Sequence, residues 1–188
     1  LDELLDIDSA VSLLAVDNLT ANLDSYIGSG HNYYAYHRKP DGKFMFIPWD
    51  PNEAFGNFNM GLNINDLQRL PLLWLPRPQG MPGQPPPPNA TVPRPLAQRM
   101  WEVPEYREAY LRKVKSLVDG AAEPETLLGR IRALHDFIRP HVEREARSMF
   151  TVAQFERAMT ENQRNGGPPQ PGQPPIPAFD IPGLEPFV

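Results

Sequence analysis

Proline decides first what this chain can fold into. The 188 residues include 24 prolines, most of them in two runs, 71–95 and 168–186. A locked φ and a missing N–H keep such runs out of helix interiors and central strands. The foldable length is therefore shorter than the chain. Residues 1–165 read as one domain interrupted by a Pro-rich insertion over 76–93. Residues 166–188 read as a Pro-rich, poorly ordered tail.

Charge and cysteine narrow the function. A net charge of −5 with no basic stripe argues against nucleic-acid binding. Without cysteine, disulfides, thiolate metal sites and cysteine nucleophiles are excluded. No apolar run approaches the ~20 residues of a membrane span. The first residue is Leu1 and opens an acidic amphipathic segment, so the chain reads as a fragment.

Between the proline runs the patterns are regular. Asp8 and Ser9 read as the N-cap of a largely buried helix through "AVSLLAVDNLTANL". "DSYIGSGHN" is a loop, and "NYYAYHR" and "KFMFIPW" flank Pro40-Asp41-Gly42 as a β-hairpin that Pro48 ends. Residues 51–66 resemble an active-site loop. Three helices are expected after the insertion. One opens at Pro104, a second at Pro124 with Pro140 kinking or dividing it, and a third is capped by Thr151 and stopped by Gly166-Gly167.

Three polar residues fall where apolar chain meets loop: Asp24 at the helix end, Asn32 at the start of the first strand, Asp50 at the end of the second. Phosphoryl transfer uses such a set, in which one carboxylate orients the acceptor hydroxyl while an Asn and a second carboxylate hold magnesium on ATP. The order of acid, amide, hairpin and acid follows protein-kinase logic with altered spacing. Asp and Asn also occur at such ends as ordinary caps.

The stretch "LDSYIGSGHNYYAYHRKPDGKFMFIPWDPNEAFG" resembles the core motif of the CotH family of spore-coat-type atypical protein kinases. "RPLAQRMWEVPEYREAYLRKVKSLV", "LHDFIRPHVEREARSM" and "FERAMTENQ" are similar to its later helices. The resemblance implies an α+β fold, the C-terminal lobe of an atypical kinase with an aromatic hairpin packed on a helical bundle. It implies that Asp24 is the catalytic carboxylate, that Asp50 binds metal, and that Asn32 is a second metal ligand. Asn52 stands where the family usually has another acid and would offer only an amide oxygen. The implied cofactors are ATP and Mg2+, with Mn2+ possible, and the implied partner is a protein substrate phosphorylated on Ser or Thr. The implied setting is extracytoplasmic, a cell surface or spore coat. By the same comparison, the ATP-gripping lysine and phosphate loop belong to a lobe upstream of this fragment, and a last helix belongs beyond it. A surface adhesion module, or a spore or envelope coat protein that keeps the fold without the chemistry, is the alternative.

Other residues have plainer readings. Tyr33, Tyr34, Tyr36, Phe44, Phe46 and Trp49 suit either a nucleotide platform or cross-strand packing, and packing is the reading adopted. His31 and Glu53 read as loop residues, and His135 and His141 as structural or surface ones. Arg107 reads as paired to an acid within the lobe. "NLT" and "NAT" match glycosylation acceptors, the first inside a predicted buried helix.

Overall fold

The computed structural model describes residues 1–78, 90–147, 150–165 and 179–188. The interior of the Pro-rich insertion, most of the second proline run and the expected Gly166-Gly167 stop lie outside them.

Helix α1 (Ile7–Leu19) is the centre of the molecule. Its cap is Asp6, whose carboxylate accepts from Ser9 N, two residues before the expected Asp8. Ala10, Val11, Leu13, Leu14 and Ala15 are buried, while Val16 is 45% exposed and lies off the core stripe. The helix stops at Leu19, short of the expected Leu23, because Ala21 turns into a left-handed conformation (φ 42°). Asp24 thus sits in the following loop and not at a helix end.

Strands β1 (Tyr33–Arg38) and β2 (Lys43–Pro48) form the expected antiparallel hairpin, with Tyr33 opposite Pro48 and Arg38 opposite Lys43. Gly42 N closes the turn on Arg38 O (2.9 Å), and Arg38 braces it by pairing with Asp41 (2.5 Å) and Asp6 (3.0 Å). Tyr33 and Phe46 share the face toward the core, and Tyr33 also meets Tyr26 edge-on at 5.2 Å. Packing accounts for those two rings. The opposite face leaves Tyr34, Tyr36, Ile47 and Trp49 exposed, with Tyr34 packed edge-on against Trp49 across the hairpin at 5.3 Å.

Across α1 from the hairpin lie α3 (Pro95–Glu102) and α4 (Pro104–Val118). Met100, Trp101, Tyr110 and Val114 complete one core with α1, Tyr26 and Ile27. Helix α3 was not anticipated. Its Pro95 starts it and the Val103-Pro104 pair separates it from α4, so the two prolines delimit a helix of only eight residues. Helix α2 (Ile64–Gln68), also missed, is a single turn capped by Asn63.

Helix α5 (Pro124–Val142) runs through Pro140 undivided, because the proline falls in its last turn. It packs against α6 (Val152–Thr160) through His135 stacked on Phe155 (4.2 Å) and Arg139 paired with Glu156 (2.7 Å). Thr151 caps α6 with a full capping box. Strand β3 (Gln163–Asn165) then pairs antiparallel with β4 (Phe179–Ile181), and α7 (Leu184–Phe187) follows. These last elements correct the reading of 166–188 as tail throughout. Phe187 packs on a second cluster of Ala21, Leu23 and Leu67, and Arg132 of α5 reaches Glu185 (2.7 Å). Pro76 is likewise fully buried and accepts a hydrogen bond from Val92 N (2.7 Å), so the ends of the insertion belong to the folded domain.

The candidate phosphoryl-transfer site

The loop from Ala21 to Asn32 positions the site. Asn22 N returns to Asp17 O (2.8 Å), Ser29 N to Leu23 O (2.8 Å) and Gly30 N to Ser25 O (2.8 Å), which coils the loop tightly on itself. Gly28 is required by this coil, since a Cβ there would lie 1.9 Å from Leu23 O. From outside, α3 clamps the loop. Leu96 N donates to the Tyr26 hydroxyl (2.8 Å), and the Arg94 guanidinium donates to Gly28 O.

Beneath the loop is an acid that the sequence reading passed over. Asp17 is 2% exposed; Asn22 Nδ2 reaches its Oδ1 (3.3 Å), and among the described residues its Oδ2 and Asn22 Oδ1 find no partner. Burial pushes its carboxyl up to about 7, against the opposing pull of hydrogen bonds from Ser25 and Asn22.

Asp24 is held on every side. Ser29 Oγ donates to its Oδ1 (2.9 Å), His31 Nδ1 lies 3.4 Å from the same oxygen, and Asn32 Nδ2 donates to both its Oδ2 (2.9 Å) and its carbonyl (2.7 Å). Asn32 adopts a left-handed conformation (φ 56°), and its carbonyl accepts from Trp49 N (2.9 Å), which sets Asp50 immediately beside it in the chain. Asp50 is also left-handed (φ 48°) and exposed, and it starts a 3-10 turn over Pro51–Glu53 without its side chain capping it. A cap reading therefore does not account for Asp50. Strained non-glycine backbone of this kind is maintained only where surrounding structure enforces it.

Asp24 and Asn32 are thus brought into direct contact, and Asp50 is joined to Asn32 through its neighbour Trp49. Asn52 is exposed in the 3-10 turn, and no hydrogen bond ties it to the other three. Ser29 and His31 were not assigned to the site; their closeness to Asp24 across a glycine-rich loop was the available signal. Glu53 accepts from Asn57 Nδ2 (2.5 Å). Arg107 makes no ion pair among the described residues, which corrects the expected lobe contact. Asn18 is buried with Nδ2 on Pro71 O (2.9 Å), which removes "NLT" as an acceptor in the folded state; Asn89 of "NAT" lies outside the described residues.

Asn32 and Asp50 carry the hard oxygen donors that a divalent cation takes. Because Asn32 commits Nδ2 to Asp24, its metal-capable Oδ1 stays free, and no described residue pairs with the Asp50 carboxylate. Among the described residues no group of three or more His, Cys, Asp or Glu could hold a metal by itself. Magnesium on a phosphate is commonly held by only one or two protein carboxylates, with waters and the phosphates completing its shell.

Asp24 and Glu53 open onto a cleft of about 770 Å³, whose further walls come from α6 and the β3–β4 ribbon. No helix among the described residues is long and apolar enough to cross a membrane.

An acid and an amide hydrogen-bonded to each other, and an acid with no described partner just past the end of a hairpin, stand together on an α+β fold. Residues 1–164 match the family model described as CotH kinase protein, and the chain belongs to that family. Kinase-like function with general use of a nucleotide, a metal and a protein substrate follows at the level of the family. Among curated proteins, none matches the chain.

Proposed function

We propose that residues 1–165 are the C-terminal lobe of a metal-dependent atypical protein kinase, which transfers the ATP γ-phosphoryl group to Ser or Thr of a protein substrate. The observation that carries this reading is the double tie at Asn32: its Nδ2 fixes Asp24, and its carbonyl accepts from Trp49 N, the residue before Asp50, whose carboxylate no described residue pairs.

Asp24 takes the role of catalytic carboxylate. The acceptor hydroxyl gives its proton to Asp24 as its oxygen attacks the γ-phosphorus, and the bond to the β–γ bridging oxygen breaks to release ADP. Ser29 and Asn32 hold that carboxylate so that little reorganisation accompanies the proton's arrival. Asp50 and Asn32 Oδ1 are the atoms to hold Mg2+ or Mn2+, with Asn52 as an adjacent amide. A metal bound there screens the phosphate charge. The exposed face of Tyr34, Ile47 and Trp49 beside Asp50 is assigned to the nucleotide base.

A second reading rests on Asn52. The missing charge weakens the metal site relative to the family pattern and favours a surface adhesion or coat module with the same fold. Incubating the full-length protein with γ-labelled ATP and Mg2+ separates the two. The kinase reading expects label on Ser or Thr and none with Asp50→Asn. Absence of label with either metal, in the parent protein, supports the module.

A further inference from the structure

The cleft that opens beside Asp24 has no role in holding nucleotide or metal under the assignment above. One wall is the catalytic loop and the segment after Asp50, represented by Asp24, Glu53 and Phe58; the others are Phe155 and Ala158 of α6 and Ile181 of β4. Its volume of about 770 Å³ suits a segment of several side chains. The floor is firm: Phe155 is backed by His135 stacked at 4.2 Å, and Gln163 is tied to Gln154 O (3.3 Å). Phe58 and Phe150 leave apolar surface at the rim, being 39% and 64% exposed. The charged residues described in its lining are Asp24, Glu53 and Arg164, an excess of negative charge at the end where Asp24 stands.

We propose that this cleft binds the acceptor segment of the protein substrate and selects a bulky apolar residue flanking the Ser or Thr. The inference rests on the kinase reading, since Asp24 fixes where the hydroxyl must lie. With the hydroxyl at Asp24, a neighbouring side chain falls among Phe58, Phe155 and Ile181. An acidic residue at the same position meets an apolar wall and the two acids Asp24 and Glu53 against the one described cation, Arg164, and is disfavoured. The site therefore sorts substrates by what flanks the hydroxyl.

The test uses the full-length protein and synthetic serine peptides that differ only at the flanking positions, each carrying Phe, Leu, Ala, Lys or Asp in turn. At one position, kcat/KM with Phe or Leu should exceed that with Asp by roughly tenfold or more. Ala158→Arg, which fills the cleft, and Phe58→Ala should each reduce that ratio toward one. The ratio does not depend on the fraction of enzyme folded. Equal rates for all flanking residues, or a preference that both variants retain, would overturn the proposal. If the parent protein labels no peptide, the kinase reading falls separately, and fluorescence anisotropy of the same peptides still tests the cleft. Tighter binding of Phe-flanked than Asp-flanked peptide, lost in Ala158→Arg, supports it; equal binding overturns it.

Discussion

Asp17 is a carboxylate held in the interior, with 2% of its surface exposed. In the unfolded chain its carboxyl ionises near 3.8, and in the fold it does so only near 7. Between those values the native state alone keeps the proton, so its stability falls as pH rises and stops falling above about 7. Asp17→Asn keeps the shape and removes the buried charge. It should stabilise the domain at pH 8 by up to roughly 4 kcal/mol, with the gain fading toward pH 4. Urea unfolding at both pH values checks this. Equal effects at the two would show that the acid is solvated. Asp24, only seven residues on, differs by design: its oxygens meet Ser29, His31 and Asn32 and remain near solvent. Asn22, which donates to Asp17, and Ser25, which donates to Asn22 O, flank Asp24 in the chain, so the buried acid underlies the loop that carries the half-buried one.

At the scale of elements, the loop 21–32 depends on close backbone approach more than on side-chain burial. Gly28→Ala forces its Cβ against Leu23 O, and the loop must uncoil. We expect a loss of at least about 2 kcal/mol, read as a lowered denaturant midpoint. A parent-like midpoint would mean that the coil is looser than its hydrogen bonds indicate. A different tie holds segment 70–76: the buried Tyr110 hydroxyl donates to Leu72 O (2.5 Å). Tyr110→Phe leaves that carbonyl unpaired and should cost about 1–3 kcal/mol in the same experiment; no change would show that water reaches Leu72. The hairpin and the helices α4, α5 and α6 were legible because period, proline and capping residues agree there. The end of α1 was not, since "TANL" continues the apolar pattern while Ala21 reverses the backbone to follow tertiary contacts. Helix α2 and the strands β3 and β4 are too short for periodicity to declare them. Arg94 was equally hidden: no local pattern announces a guanidinium that reaches 66 residues back to Gly28.

For the molecule as a whole, the acids of the candidate site were legible in order and type, and their contacts were not. The sequence separates Asp24 from Asn32 by a glycine loop, and only folding turns that spacing into two hydrogen bonds. Asp50 and Asp24 should then fail in different ways when altered in the full-length protein. On the proposed roles, Asp50→Asn removes the charge assigned to the metal, so magnesium–nucleotide affinity itself should fall. Asp24→Asn, on the same proposal, keeps the nucleotide site and removes the base, so ATP affinity should stay near the parent value while transfer slows by ~10²–10⁴-fold. Calorimetric ATP affinity at fixed magnesium, measured beside phosphorylation rate for both variants, tests this most directly. The account predicts a binding defect for Asp50→Asn and a rate defect for Asp24→Asn. Parent-like binding and parent-like transfer in both variants would contradict it, leaving the two acids as structural features of a kinase-shaped surface module.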